Sequence, residues 1–349
     1  MRIGIQTWGS EGDIRPAVAL ATGLATRGHA VDLVATGPPR PEHVAAATRH
    51  GVAVRVTTVP GLESPGDLDR LLATWVRLGN PLKQAEMILA AAVDPAVDGM
   101  AAAARELCAT CGLVVGHFFV HPLAAAAERA GRPRVALHLA HTGLPSRELR
   151  PPGVPAPGRL GRRLGWALSR VVINRIFRAR VNRSRALEGL PPIADVMTQA
   201  WASPLLTLVA VSPAICPRPT DWPPAHQVCG TLDLEEDGAQ PTLQAPLAHF
   251  LDGGEPPVYF TFGSLMPQGE APAEAVAGAW REAVRLAGCR AIVRGPASVA
   301  PGLEGDGRVL VVHRAPHAVV FPRCAAVVHH GGAGTAHASL RAGVPSVVV

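Results

Sequence analysis

Short apolar runs and longer stretches of helical period follow one another along most of this chain. The runs Arg2–Trp8, Ala30–Thr36, Ala53–Val59, Leu113–His117, Val135–Leu139 and Leu206–Val211 are separated, for the most part, by Ala-rich segments. Runs that are apolar on both alternating faces read as strands covered on both sides. Strands alternating with helical connectors predict a parallel, doubly wound α/β sheet. A second series follows at Val258–Phe262, Arg290–Arg294, Val309–His313, Ala325–His329 and Ser346–Val349. The proline-rich stretch Ser212–Pro224 between the two series reads as a linker. The pattern therefore predicts one domain over 1–211, a linker over 212–225 and a second domain over 226–349.

Composition narrows the class. A chain of 349 residues accommodates two domains, and a hydrophobic share of 48% fills two cores. Aromatic residues are scarce at 4%, so those cores are predicted to be built from Ala, Val and Leu. The net charge of +6 is a weak pointer to an anionic partner, because Lys83 is the only lysine and arginine with abundant Ala, Gly and Pro also follows a GC-rich genome. No nucleic-acid-binding module is recognisable. Met1 leads directly into a strand, so no signal peptide is expected. The longest apolar run, Met87–Ala104, is interrupted by Asp94, Pro95 and Asp98, so no membrane span is expected. Six scattered cysteines suit a reduced cytoplasm, and the lone C-x-x-C of Cys108 and Cys111 reads as helix-end packing. Arginines concentrate between Arg147 and Arg185 with apolar residues interleaved, which predicts a basic amphipathic helix. Its polar face is solvated while the other packs on the first domain, or it meets a membrane surface.

Chemistry is most legible in His329-His330-Gly331-Gly332-Ala333-Gly334-Thr335. The run follows a buried strand, opens a short helix and is succeeded by a further strand. Glycines let a backbone approach an anion closely, and the free N–H groups of a helix start point at it. The histidines add donors, one of them able to carry charge against a diphosphate. No carboxylate cluster of metal-binding spacing lies near.

This word, continued by Leu340-Arg341-Ala342-Gly343-Val344-Pro345, resembles the donor-diphosphate motif of GT-B glycosyltransferases, in the branch of antibiotic-aglycone and sterol glycosyltransferases. Gly9-Ser10-Glu11-Gly12-Asp13-Ile14-Arg15-Pro16 resembles that branch's loop after the first strand. Val258-Tyr259-Phe260-Thr261-Phe262-Gly263-Ser264 resembles the opening of its second domain. The resemblance is weakest between residues 60 and 200. It implies two Rossmann-like parallel-sheet domains facing across a cleft, the first binding the acceptor and the second the nucleotide sugar. The family pattern runs on beyond the point matched by Val349, through an Asp-Gln pair and terminal helices, so the second domain is expected to be incomplete.

The resemblance makes Asp13 the general base; residue type alone favours an N-terminal cap for a helix starting at Pro16. Glu11 is the nearest competing carboxylate. Ser10, Gly12, Gly263, Ser264, His330, Gly332, Gly334 and Thr335 are expected around the donor diphosphate. Arg314, Ala315 and His317 match the segment that packs on the nucleobase. His117, His138 and His141, with His121 near them, sit at or beyond strand ends and are candidates to line the acceptor pocket. Ala338 stands where plant members bond the ribose through a glutamate, so UDP and dTDP both stay open. The expected reaction moves a hexose from a UDP- or dTDP-sugar to a hydroxyl of a hydrophobic small molecule, with inversion, without metal or other cofactor, in the cytoplasm. The alternatives are a lipid-directed glycosyltransferase with peripheral membrane contact through the arginine-rich helix, and a non-catalytic glycosyltransferase-like partner protein.

Overall fold

The computed structural model describes residues 1–37, 41–63, 67, 70–71, 74–75, 77–234, 243–263, 270–295, 303 and 307–349. They form two compact units, 1–63 with 81–234 and 64–80 with 235–349.

The first unit runs β1 (Arg2–Trp8), α1 (Glu11–Thr26), β2 (Ala30–Thr36), α2 (Pro41–Arg49), β3 (Ala53–Thr57), α3 (Pro81–Ile88), α4 (Val97–Thr110), β4 (Leu113–His117), α5 (His121–Arg129), β5 (Arg134–His138), α6 (Gly158–Leu187), β6 (Leu206–Val209) and β7 (His226–Val228). Its seven strands pair in the order β3-β2-β1-β4-β5-β6-β7, all parallel. Alternate residues feed two cores. Ile3 and Ile5 of β1 join Ile14, Ala17, Val18 and Ala21 of α1 on one face. These four recur at helical spacing, and full burial of an isoleucine such as Ile14 contributes ~1.5–3 kcal/mol. On the other face Met100, Ala103, Ala104 and Leu107 of α4 join Val114 of β4. Gly4 makes room there, since a Cβ at that position would lie 3.0 Å from Leu107 Cδ2.

Three sequence expectations change here. The segment 212–225 is no interdomain linker. It connects β6 to β7 within the first sheet, and it is packed: Trp222 and Cys216 are buried, and Trp222 Nε1 donates to Pro145 O at 3.1 Å. The break between the units falls instead at Leu234–Glu235. Helix α1 begins at Glu11, well before Pro16. Finally, Leu82–Thr110 is one helical run long and apolar enough, by length and composition, to cross a membrane. Asp94 and Pro95 do not break it but occupy a 3-10 turn, Asp94–Ala96, in line with the helices either side. Its buried residues, from Leu89 to Leu107, belong to the core beneath the sheet, and Asp94 is paired with Arg180 of α6 at 2.8 Å.

The second unit runs α7 (Ala245–Asp252), β8 (Val258–Thr261), α8 (Glu270–Ala287), β9 (Ala291–Arg294), β10 (Val309–Val312), α9 (His317–Val320), β11 (Ala326–His329), α10 (Ala333–Arg341) and β12 (Ser346–Val348). Its five parallel strands are ordered β10-β9-β8-β11-β12. Phe260, Trp280 and Val293 pack on one face, and Tyr259, Ile292, Phe321 and Val327 on the other.

Each sheet reverses its strand order once, between β1 and β4 in the first unit and between β8 and β11 in the second. Open α/β sheets bind ligands at such points, beyond the carboxyl ends of the two strands, because the connections there leave in opposite directions and open a crevice.

Candidate functional site

At the reversal in the first unit the chain leaves β1 through Gly9 and enters α1 with Ser10 as N-cap. Gly9 is required twice over. Its φ is +130°, which L side chains rarely adopt, and a Cβ there would lie 2.3 Å from Asp13 Oδ2. Gly37, with φ +126°, completes the close approach, since its Cβ would meet Gly9 O at 2.4 Å. Asp13 stands at the third position of α1. Its Oδ2 accepts from Ser10 N at 2.9 Å and from Ser10 Oγ at 3.3 Å. The carboxylate is therefore part of a capping box, and Ser10, expected at the donor phosphate, has these donors turned to Asp13 instead. Burial pushes the Asp13 carboxyl up to about 6, against the hydrogen bonds from Ser10 that favour its charged form. Glu11 and Gly12 occupy the first turn of α1, half-buried and exposed respectively.

His117 closes β4 across the same reversal, its Nε2 3.8 Å from Asp13 Oδ1. That is beyond hydrogen-bond range. It is no ion pair either, because burial drives His117 down to about 3 and keeps it neutral. Phe118 and Phe119 follow, both half-buried, with Phe119 meeting Trp8 edge-on at 6.0 Å and Phe118 stacked on His138 at 4.7 Å. Both rings also contact His117, at 4.7 and 5.7 Å, and so form an aromatic cluster around the histidine next to Asp13 that the sequence reading does not include. A signal was present: the chain has only 7 phenylalanines, and two adjoin a histidine at a strand end.

His138 does not fit an acceptor-lining role. It is fully buried, its Nε2 lies 2.9 Å from Trp201 O, and Gly143 and Phe118 enclose the ring. Desolvation holds it at about 4, so it is a neutral structural histidine. His121, first residue of α5, is likewise buried and held at about 4, chiefly by desolvation. His141 lies half-buried on the turn His141–Gly143, lowered by burial.

At the reversal in the second unit, β11 ends in His329 and α10 starts after Gly332. His329 is fully buried, and its Nδ1 accepts the Gly331 N–H at 3.1 Å, which shapes the turn. The His330 ring is held between two glycines. A Cβ on Gly332 would lie 2.4 Å from its Nε2, and a Cβ on Gly263, just past β8, would lie 2.7 Å from its Cε1. Burial, with His329 and Arg294 nearby, lowers His330, so the charged form allowed by sequence is disfavoured before an anion arrives. Among the described residues its Nδ1 is buried without a hydrogen-bond partner. The first intrahelical bond of α10 is Ala336 N–H to Gly332 O at 3.0 Å. The N–H groups of Ala333, Gly334 and Thr335 thus have no intrahelical acceptor, as at any helix start. Gly334 is exposed and Thr335 buried on that first turn. Ser264 lies outside the described residues.

Arg314 is exposed, and Ala315 packs against the core around Tyr259. His317 opens α9 with its ring stacked on Phe321 at 4.3 Å and edge-on to Tyr259 at 5.9 Å. Among the described residues no group of three or more His, Cys, Asp or Glu is placed to hold a metal ion. Cys108 and Cys111 are free and buried at the end of α4, as expected of packing residues.

Each parallel-sheet unit thus carries one constellation at its reversal, a capped carboxylate in the first and a glycine-bounded histidine turn in the second. Known proteins supply the family. A family profile described as "Erythromycin biosynthesis protein CIII-like, C-terminal domain" matches residues 297–349. O-mycaminosyltylonolide 6-deoxyallosyltransferase of Streptomyces fradiae is 33% identical, over 100% of this chain and 80% of its own length. Vancomycin aglycone glucosyltransferase of Amycolatopsis orientalis is 32% identical, over 100% of this chain and 80% of its own. Among solved structures, the glycotransferase of kitacinnamycin superposes with a TM-score of 0.68 at 20% identity, over 100% of this chain and 80% of that one. Glycosyltransferase VinC, solved in complex with dTDP, superposes with a TM-score of 0.62 at 20% identity, over 100% and 81%. The chain belongs to this family of antibiotic glycosyltransferases, and its fold is GT-B.

Proposed function

We propose that the chain transfers a hexose from a nucleotide diphosphate sugar to a hydroxyl of a hydrophobic small molecule, with inversion and without a metal ion. One observation carries the reading: the strand-order reversal of each unit holds one half of the required chemistry, Asp13 in the first and the His330 turn in the second. Asp13 takes the proton of the acceptor hydroxyl as its oxygen bonds the anomeric carbon. The bond from that carbon to the diphosphate breaks in the same displacement, which inverts the centre. A carboxyl at about 6 is mostly ionised at neutral pH and is a stronger base than an ordinary aspartate. The rings of Phe118, Phe119 and Trp8 offer the apolar surface for the acceptor.

In the second unit the N–H groups opening α10 and the His330 ring hold the departing diphosphate, assisted by Thr335 and the Gly263 turn. The exposed guanidinium of Arg314 offers a plane for the nucleobase. Either UDP or dTDP fits this set, and VinC is a dTDP-binding relative in fold. Titration calorimetry tests the donor site. UDP or dTDP should bind far more tightly than uridine or thymidine, and His330→Ala should remove most of that difference. Equal affinity for nucleoside and nucleoside diphosphate would overturn the assignment.

A further inference from the structure

Helix α6 holds no Asp or Glu anywhere between Gly158 and Leu187, and its arginines are unequally employed. Arg162 donates to Arg147 O, while Arg170, Arg180 and Arg185 pair with Asp195, Asp94 and Glu128. Arg159, Arg163, Arg175, Arg178 and Arg183 are exposed and have no counter-ion among the described residues. Between them runs an apolar ridge: Leu160, Leu164, Leu168 and Val171 are 69%, 61%, 55% and 65% exposed. At ~100° per residue these four fall within roughly 80° of arc, and at ~1.5 Å rise they extend over ~16 Å. Arg175 and Arg178 continue the same line towards the C-terminal end. The opposite face, with Trp166, Phe177 and Val181, is buried in the unit's core.

We infer that this face of α6 docks on an anionic lipid surface, the helix lying in the plane of the interface. The ridge is convex and formed by separate aliphatic side chains, a shape that enters the acyl boundary between headgroups. Its arginines are long enough to keep their guanidinium groups at the level of the lipid phosphates. Positive charge without a counter-ion among the described residues supplies the complementarity, and Arg175 and Arg178 carry it in line with the exposed leucines. The inference is independent of the proposed sugar transfer, and neither stands or falls with the other.

Vesicle co-sedimentation of the 349-residue chain tests it. Two liposome types are compared, pure phosphatidylcholine and phosphatidylcholine with about one-third phosphatidylglycerol. Binding to the anionic vesicles should exceed that to neutral ones by about tenfold or more and should weaken as salt rises. Leu164→Glu with Leu168→Glu, and separately Arg175→Glu with Arg178→Glu, should each abolish the excess. All four positions are exposed, so melting curves should match the parent's and show that folding is not the cause. Equal binding to both vesicle types, or full binding by both variants, would overturn the proposal. So would a dimer, seen by light scattering and dissolved by the leucine variant, if vesicle binding is absent; the ridge is then a self-association surface. Binding to polyaspartate as tight as to the vesicles and indifferent to the leucine variant would assign the arginines to an acidic protein instead.

Discussion

Asp13 serves the cap of α1 and the proposed chemistry with the same carboxylate, and the two make opposite demands. The Ser10 donors favour its ionised form, whereas burial disfavours it, and burial prevails. Because the folded-state value of about 6 lies above the ordinary 3.8, Asp13 contributes stability below the ordinary value and loses it as pH rises through about 6. Asp13→Asn keeps an acceptor for Ser10 N–H and removes the buried charge. Its melting temperature at pH 8 should therefore equal or exceed that of the parent, while turnover falls by about a hundredfold, the usual scale of general-base catalysis. Asp13→Ala, which empties the cap, should instead cost about 1 kcal/mol. A large loss of stability in the asparagine variant would mean that the residue is mainly structural. In the parent, kcat/KM should rise with pH through about 6 and then level off, since the ionised form is the base. Gly332→Ala probes the other half. Its Cβ would lie 2.4 Å from His330 Nε2, so the ring has to leave its place. Calorimetry should show diphosphate affinity falling by roughly tenfold or more, the loss expected for one hydrogen bond to a charged group, with nucleoside affinity unchanged.

At the scale of elements, the strands were the most legible part of the chain. β1, β2 and β4 have the bounds that their apolar runs predict, because parallel strands buried on both faces leave continuous apolar signatures. The start of α1 was not legible in the same way. Pro16 suggested a beginning, but the Ser10–Asp13 capping box sets it earlier, and only the observed hydrogen bonds distinguish a cap from a bare loop carboxylate. β7 was missed for a physical reason as well. His226-Gln227-Val228 is a short, partly polar edge strand, recognisable only from its pairing with β6. The prolines before it then looked like a linker, although Arg218, donating to Trp222 O and His226 O, ties the loop back on itself. Trp222→Ala distinguishes the two readings. In a free linker the change would be nearly silent. For a side chain 4% exposed and bonded to Pro145 O it should cost about 3–5 kcal/mol in chemical denaturation.

Across the whole molecule, the motifs that sequence singled out fall at equivalent places in both sheets, Asp13 beyond β1 and His330 beyond β11, each where strand order reverses. Sequence could nominate them because glycines that permit close approach recur in a recognisable word. It could not show that His138 is walled in or that Phe118 and Phe119 cluster around His117, since burial depends on residues distant in the chain such as Trp201. The same arrangement bears on metal dependence. A diphosphate leaving group needs positive potential, which most simply comes from a divalent cation held by carboxylates. In the proposed site the turn offers the start of α10 and the His330 ring for that purpose. A helix start presents about half a unit of positive charge together with oriented N–H donors. His330, lowered chiefly by burial, gains a proton more readily once an anion lies against it. Affinity for dTDP or UDP, measured by calorimetry, and sugar transfer, followed by product chromatography, should therefore both be unchanged by excess EDTA. Binding that vanishes in EDTA and returns with magnesium would place a cation at the diphosphate and leave the His330 turn a secondary contact.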